Sequence, residues 1–168
     1  CLGTSATVRS VERKERTERP LALYDLTTLQ REANRLFGYT AQQTLDYLQS
    51  LYEKRLATYP RTDSRYLTDD MEGGLPALCQ AVAVALPCME GLALPVNAAQ
   101  VVDSAQVTDH HAVIPTAEIA VADLAPLPTG ERNILAMIAA RLLCAVGESH
   151  TYAETAVTLE CGGGSFNA

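Results

Sequence analysis

The chain has 168 residues, of which 48% are hydrophobic and 20% charged, and its formal net charge is −7. This length and composition suit one ordinary globular domain or two small ones with a buried core, and they exclude a chain that is disordered throughout. No apolar run approaches the ~20 residues that a bilayer-spanning helix needs, so the sequence predicts no membrane partner.

The first predicted elements are an exposed strand and a helix. Residues 7–20 alternate briefly between apolar and polar types and then become a mixed-charge run that ends at Pro20, which is typical of a strand leading into a linker. Asp25 is a suitable cap for a helix from Leu26 to Phe37, and Gly38 a suitable end.

A second helix is predicted to follow at once. Thr40 and Gln43 have the spacing of a capping box, and the helix should run to about Lys54. Two helices joined this closely form a helical hairpin. The residues at helical spacing on their expected inner faces are Leu29, Ala33, Leu36 and Phe37 in the first helix, and Leu45, Leu48, Leu51 and Tyr52 in the second.

Residues 56–64 are predicted to be extended, because Pro60 disfavours helix at the residue before it. Thr68 is then expected to cap a short acidic helix, which the glycine and proline residues at 73–76 interrupt. A strongly apolar helix over residues 77–86 should be fully buried.

The remaining elements complete an α+β fold. Residues 87–128 are expected to be rich in loops, and Thr129 to cap a helix over about 131–146. Residues 151–160 alternate and predict a strand. The inward positions of that last helix should be Ile134, Leu135, Ile138, Leu142 and Val146.

Strands therefore flank a mostly helical block. We expect a helical domain over residues 23–148, inserted into a partial β domain made of residues 1–22 and a return strand over 149–168. The sequence has no internal repeat that would favour a repeat architecture.

Charge is distributed very unevenly along the chain. Residues 1–67 hold 11 of the 13 basic and 8 of the 20 acidic residues, a net charge of +3, whereas residues 68–168 carry −10. Most of the aromatic residues fall in the same basic part. A local positive field with interleaved rings suits single-stranded nucleic acid, although helix packing and a solvated charged face explain the same composition. The aromatic residues of this basic part are Tyr24, Phe37, Tyr39, Tyr47, Tyr52, Tyr59 and Tyr66.

The most informative stretch is residues 58–64, with the sequence TYPRTDS. In an extended segment, residues two apart share a face, so Tyr59, Arg61 and Asp63 should point the same way. A phenol has a pKa near ~10 and is a weak nucleophile, but a cation beside it favours the phenolate. A guanidinium also binds phosphate through paired donors. The segment is therefore either a nucleophile with its own phosphate clamp or a plain turn that caps the next helix.

The adjacent histidines, His110 and His111, form a second candidate group. Neighbouring histidines do not easily coordinate one ion, and no Cys or Glu lies close by in sequence, so a metal site is disfavoured. A protonated imidazole donates to a phosphate, and Asp63 is suited to hold its tautomer and favour its charged form. A simple surface pair remains the alternative.

Four motifs in order carry a family resemblance. They are residues 24–34 (YDLTTLQREAN), residues 44–53 through Thr44, Leu45, Gln49 and Leu51-Tyr-Glu53, residues 58–64 (TYPRTDS) and residues 109–116 (DHHAVIPT). Together they closely resemble the central region of bacterial type IA DNA topoisomerases, most like the topoisomerase III branch. The resemblance runs from about residue 8 to the end, and residues 67–100 and 117–148 match only loosely.

The resemblance implies a reaction and its residues. Tyr59 matches the tyrosine that attacks a phosphodiester of single-stranded DNA, forming a 5′-phosphotyrosine and releasing a 3′-hydroxyl. Arg61 matches the arginine that assists at the scissile phosphate, His110 the histidine near it, and Asp63 its acidic partner. Another strand passes through the gap, and religation restores the bond without ATP. The residues expected to contact DNA are Arg61, Thr62, Ser64, His110 and His111.

The resemblance also implies missing parts. The family binds Mg²⁺ through a toprim domain, yet this chain has no Asp-x-Asp-x-Asp run, so no cofactor is expected here and the chain alone should be inactive. It opens on Cys1 without an initiator Met or signal peptide, so we expect a piece of a longer protein whose remaining domains are its partners. The five cysteines have no C-x-x-C pair, which favours reduced, mostly buried thiols in a cytoplasmic protein.

Two other interpretations stay open. A module with the same fold could bind single-stranded DNA or dock a protein without catalysis. Covalent chemistry that depends on Tyr59, when the chain is joined to the missing domains, distinguishes the topoisomerase fragment from such a module. An unrelated helical adaptor would require four coincidental motif matches.

Overall fold

The computed structural model of the chain describes residues 3, 5–85 and 95–168. The predicted helix end at Leu86 and the start of the loop region at Pro87 lie outside these residues. The backbone divides into two compact units, one combining Cys1–Arg19 with Ser149–Ala168 and the other consisting of Pro20–Glu148. The expected α+β class, with a mainly helical part between β segments, is confirmed.

The first unit is a three-stranded antiparallel sheet. Strand β1 (Thr7–Glu18) pairs with β2 (His150–Cys161), and β3 (Gly164–Asn167) pairs with the other edge of β2. Every residue of β1 is exposed, as the sequence predicts for this strand. Cross-strand ion pairs such as Arg16 with Glu154, at 2.8 Å, connect the exposed faces.

The second unit contains four α-helices: α1 (Leu26–Phe37), α2 (Ala41–Glu53), α3 (Leu75–Ala85) and α4 (Thr129–Ala145). Within the described ranges, none of the helices has the length and apolar character needed to cross a membrane. Short 3₁₀ turns connect these helices at Asp69–Gly74, Ala98–Gln100, Ser104–Gln106 and Ala117–Ala120.

The ends of α1 and α2 follow the local signals in the sequence. The Asp25 carboxylate accepts a hydrogen bond from the Thr28 amide at 2.6 Å, and Gly38 ends α1 with a positive φ of 71°. Thr40 and Gln43 make both hydrogen bonds of a capping box at the start of α2. These predictions are confirmed because each rests on groups within three or four residues of one another.

Two predicted caps are wrong. Thr129 is the first residue of α4 and follows Pro128, so it does not cap the helix. Thr68 precedes a 3₁₀ turn and makes no capping hydrogen bond. Pro76 does not interrupt a helix either, since it lies in the first turn of α3, where a missing amide hydrogen costs nothing.

Burial also differs from the predicted faces. The predicted inner positions of α4 are all buried, as are Leu29 and Ala33 in α1. Leu36, Phe37 and Tyr52, however, are 56%, 41% and 40% exposed, and all three lie in the last turn of their helices. Helix α3 buries one face only, and Val84 is 68% exposed on the other. The thiol of Cys79 is buried as expected, whereas Cys144 is exposed.

Helices α2 and α4 approach closely at a glycine. A Cβ added to Gly130 would lie 2.4 Å from the Cζ atom of Tyr47, so only glycine allows this contact. One turn further along α2, the Ser50 hydroxyl and the Lys54 ammonium both donate to the buried Glu131 carboxylate, at 2.8 and 2.7 Å. The same interface therefore combines close packing with a satisfied buried charge.

We expect Gly130→Ala to lower the free energy of unfolding by about 1–3 kcal/mol, because the added methyl group overlaps the Tyr47 ring. Urea unfolding followed by the helical signal measures this change. Gly73→Ala is the matched control, since a Cβ there meets no atom within 4 Å. Equal stability of the two variants would contradict the packing argument.

Candidate active site around Tyr59

A tight turn directs the chain from α2 towards Tyr59. The amides of Arg55 and Leu56 donate to the carbonyls of Tyr52 and Leu51, at 2.9 and 2.8 Å, which is the hydrogen-bond pattern of a Schellman motif. Arg55 occupies the left-handed position with φ of 61°, a conformation that costs a non-glycine residue about 1–2 kcal/mol. The chain thereby leaves the helix sharply and becomes extended.

Residues 56–67, which we call the tyrosine segment, leave the helix as an irregular chain, and residues 60–64 within it alternate in exposure as an extended chain should. Arg61 and Asp63 are exposed and Tyr59 is half-buried, whereas Thr62 and Ser64 between and beyond them are only 9% and 5% exposed. The phenol, the guanidinium and the carboxylate therefore share the outer face, as the period of two predicts.

The hydroxyls of Thr62 and Ser64 bind within the protein. Thr62 Oγ1 donates to the carbonyl of His110 at 2.7 Å and accepts from the Ser64 amide at 3.1 Å. Ser64 Oγ donates to the Gln106 carbonyl at 3.0 Å. Both hydroxyls are therefore buried on the inner face and bonded to backbone groups, and the expectation that Thr62 and Ser64 contact DNA stays a prediction.

The tyrosine segment pairs with residues 110–116, which we call the histidine segment. The Thr58 amide donates to the Ile114 carbonyl at 3.0 Å, and the Thr116 amide donates to the Leu56 carbonyl at 3.1 Å, forming an antiparallel bridge. At the other end, the Ala112 amide donates to the Tyr66 carbonyl at 2.9 Å. These bonds bring the two sequence motifs side by side.

The Tyr59 ring contacts two other rings. The centroid of the exposed His110 ring is 4.3 Å away, and that of Tyr52 is 5.6 Å away in an edge-to-face arrangement. These two ring contacts restrict rotation of the phenol. His111 differs from His110, because its Nδ1 donates to the Ala112 carbonyl at 2.8 Å.

Helix α2 also orients Arg61. The Gln49 side-chain oxygen accepts a hydrogen bond from the Arg61 guanidinium at 3.2 Å, and the Gln49 amide group donates to Glu53 at 3.0 Å. Sequence reasoning assigned no site role to Gln49 or Tyr52. Their spacing of three residues on a helix was the available signal, because it places both on one face of α2.

Asp63 does not pair with His110 in this structure. Its carboxylate accepts a hydrogen bond from the Thr108 hydroxyl at 3.3 Å, and within the described residues no ion pair joins it to the imidazole within 4 Å. The predicted contact is wrong because the histidine segment places the His110 ring against Tyr59, while its neighbour Thr108 faces Asp63.

A buried charge cluster lies behind the histidine segment. Arg141 donates to Glu32 at 2.6 Å and to the Tyr24 hydroxyl at 2.9 Å, and the Tyr24 hydroxyl donates to Glu32 at 2.5 Å. Burial raises the pKa of Tyr24 far above its usual range. Burial opposes ionisation of Glu32 as well, but the hydrogen bonds from Tyr24 and Arg141 lower its pKa overall. Because the Tyr24 carbonyl accepts from the Val113 amide at 2.8 Å, this cluster supports the histidine segment.

The acidic residues near Tyr59 do not form a metal site. Asp63 and Glu53 each contact a neutral neighbour, and nowhere in residues 3, 5–85 and 95–168 do three possible His, Cys, Asp or Glu ligands gather. The described residues therefore do not fit a divalent cation.

Comparison with known proteins identifies relatives of this chain. A sequence model of the DNA topoisomerase family matches residues 1–168. The chain is 37% identical over 169 residues to DNA topoisomerase 3 of Bacillus cereus (strain ATCC 10987 / NRS 248), covering 98% of this chain and 23% of that protein. It is 38% identical over 181 residues to DNA topoisomerase 3 of Bacillus subtilis (strain 168), covering 99% and 23%. The chain thus spans less than a quarter of the length of these relatives.

The fold has a solved counterpart as well. The structure of full-length topoisomerase I from Thermotoga maritima superimposes with a TM-score of 0.68 at 22% sequence identity, covering 97% of this chain and 27% of that one. At this identity the likeness concerns the fold.

We expect Thr62→Val to lower the free energy of unfolding by about 1–3 kcal/mol, because it removes a hydrogen bond to the His110 carbonyl and leaves the Ser64 amide without its acceptor. Thr68→Val is the matched control, since the Thr68 side chain makes no capping bond, and its effect should stay within about 0.5 kcal/mol. Urea denaturation measures both. A fully stable Thr62→Val variant would show that the hydroxyl is dispensable for the fold.

Proposed function

The chain belongs to the type IA DNA topoisomerase family, and we propose that it is the part of such an enzyme that carries the nucleophile, Tyr59. The observation that supports this role best is the position of the Tyr59 phenol on an exposed face, in contact with His110 and two residues from Arg61. A nucleophile, a phosphate-binding cation and a second donor are thus available to one phosphodiester.

The proposed step is a transesterification. The Tyr59 oxygen attacks phosphorus of one DNA strand, a bond from oxygen to phosphorus forms, and the bond to the 3′-oxygen breaks. The phenolic proton leaves as the 3′-hydroxyl gains one, so the strand ends in a free hydroxyl while its 5′-phosphate is held on the protein. Another strand passes through the gap, and the 3′-hydroxyl reverses the step, which changes DNA topology without ATP.

The neighbouring side chains have separate roles in this proposal. Arg61, oriented by Gln49, holds the non-bridging phosphate oxygens and offsets the charge that builds up on them. His110, whose ring contacts the phenol, donates a hydrogen bond to the same phosphate. Asp63 orders the loop at Thr108 and thereby positions the histidine segment, in place of direct pairing with His110.

The proposed reaction also needs a metal ion and a DNA substrate. We propose that the parent enzyme binds Mg²⁺ through a toprim domain, since the described residues supply no ligand cluster for it. The substrate is single-stranded DNA, and the cellular location is the cytoplasm, where bacterial DNA lies.

In the intact parent enzyme, Tyr59→Phe should abolish the covalent protein–DNA adduct, because the attacking oxygen is gone, while affinity for single-stranded DNA stays within about twofold. Adduct formation is measured by trapping adducts with denaturant and resolving them on a gel. Affinity for single-stranded DNA is measured by fluorescence anisotropy. Tyr66→Phe is the matched control in the same segment and should retain adduct formation. An adduct that survives Tyr59→Phe would contradict the assignment, and normal DNA binding without any adduct in the unsubstituted parent would favour a non-catalytic binding module.

The 168-residue chain alone should leave a negatively supercoiled plasmid unrelaxed at every Mg²⁺ concentration, because its described residues supply the phenol but no carboxylate cluster for the metal. Agarose gel electrophoresis of the plasmid tests this, with the parent enzyme as the positive control. Relaxation by the pure chain that disappears in Tyr59→Phe would show that the chain itself is sufficient.

A further inference from the structure

A row of arginines leads away from Tyr59 along the tyrosine segment. Arg61 and Arg65 lie two and six residues after Tyr59, on the same side of an extended chain. Because an extended chain rises about 3.3 Å per residue, the distance from Tyr59 to Arg65 along the segment is about 20 Å. The intervening Asp63 carboxylate accepts a hydrogen bond from Thr108.

Arg65 connects this row to the beginning of α1. Its Nε atom donates to the Leu23 carbonyl at 3.1 Å and lies 3.9 Å from the Asp25 carboxylate. The same carboxylate caps α1 by accepting from the amide and the hydroxyl of Thr28, at 2.6 and 3.1 Å. Arg65 and Thr28 are therefore neighbours across Asp25.

From Thr28 onwards, one stripe of α1 lines an open polar cleft of about 330 Å³. The stripe consists of Thr28, Arg31, Glu32 and Arg35, which helical periodicity places side by side. Glu32 lines the cleft too, but its carboxylate is already hydrogen-bonded by Arg141 and Tyr24. Neither Arg31 nor Arg35 makes a hydrogen bond or a close ion pair in the described residues, although the positive charge of Arg35 also helps to lower the pKa of Glu32.

We propose that this cleft binds the sugar–phosphate backbone of single-stranded DNA as the strand leaves Tyr59, with Arg31 and Arg35 on neighbouring phosphates. The two arginines are four residues apart, about 6 Å along the helix axis. No aromatic ring lines the cleft, so it offers backbone contacts and no stacking platform, and binding there is independent of base sequence. This inference rests on the proposed function, because it extends the DNA path from the nucleophile.

The test compares fluorescent oligothymidylates of four and twelve nucleotides binding to the 168-residue chain. The double substitution Arg31→Gln and Arg35→Gln should weaken the 12-mer about tenfold and change binding of the 4-mer, which covers little beyond Arg61, by less than twofold. Each lost phosphate contact reduces the salt slope by about 0.7 on a single strand, so raising salt from about 50 to about 200 mM should weaken the double variant about sevenfold less than the unsubstituted chain.

The matched control is the double substitution Arg13→Gln and Arg19→Gln. It removes the same charge from two exposed arginines of the other unit that also lack ion pairs in the described part of the chain. It should leave both oligomers bound as before. A control that weakens the 12-mer as much as the cleft variant would show a general charge effect and overturn the proposed path.

Two further results separate this inference from the proposed function. If the cleft variant binds the 12-mer normally while Tyr59→Phe still abolishes adducts in the parent, the path is wrong and the nucleophile assignment stands. If the unsubstituted chain binds neither oligomer at low salt, the proposed path is overturned, while adduct formation in the parent still decides the nucleophile assignment. Equal weakening of the 4-mer and the 12-mer would indicate a site for a single phosphate group and would also contradict a continuing strand.

Discussion

The hydrogen-bonded pairing between the tyrosine segment and the histidine segment is the constraint on which the candidate site depends. The two segments are about 50 residues apart in sequence, and neither is part of a regular sheet. Their contact is made by backbone amides at both ends, at Thr58 with Ile114 and at Ala112 with Tyr66, so it does not depend on the outward-facing side chains. The ring contact between Tyr59 and His110 follows from this pairing, because the backbones are already in register.

The period of two in the tyrosine segment separates structural from chemical roles. Thr62 and Ser64 point inward, and their hydroxyls satisfy buried backbone groups that would otherwise be unpaired. Tyr59 and Arg61 point outward, where no buried backbone group needs their polar atoms as hydrogen-bond partners. A substitution at an inner position therefore acts on the fold first, whereas one at an outer position acts on chemistry and leaves the register intact.

Local and long-range features were predictable to very different degrees. The caps at Asp25 and Thr40, the α+β class and the shared outer face of Tyr59 and Arg61 follow from spacing within a few residues, and the structure confirms them. The close approach at Gly130 and the partner of Asp63 depend on which residues far apart in sequence come into contact. Such contacts cannot be predicted from the residue spacing of a single sequence. The roles of the site residues in catalysis stay predictions, because geometry shows proximity and not reaction.

The net charge of −7 conceals how the positive charge is arranged around the site. Several basic side chains are matched by carboxylates, including Arg141 by Glu32 and Lys54 by Glu131. Arg61 is different, because the group that orients it is the neutral amide of Gln49. A carboxylate in that place would fix the guanidinium equally well but would offset its charge and repel a phosphate. Orientation by an amide restricts the guanidinium while its full positive charge remains available to the outer face.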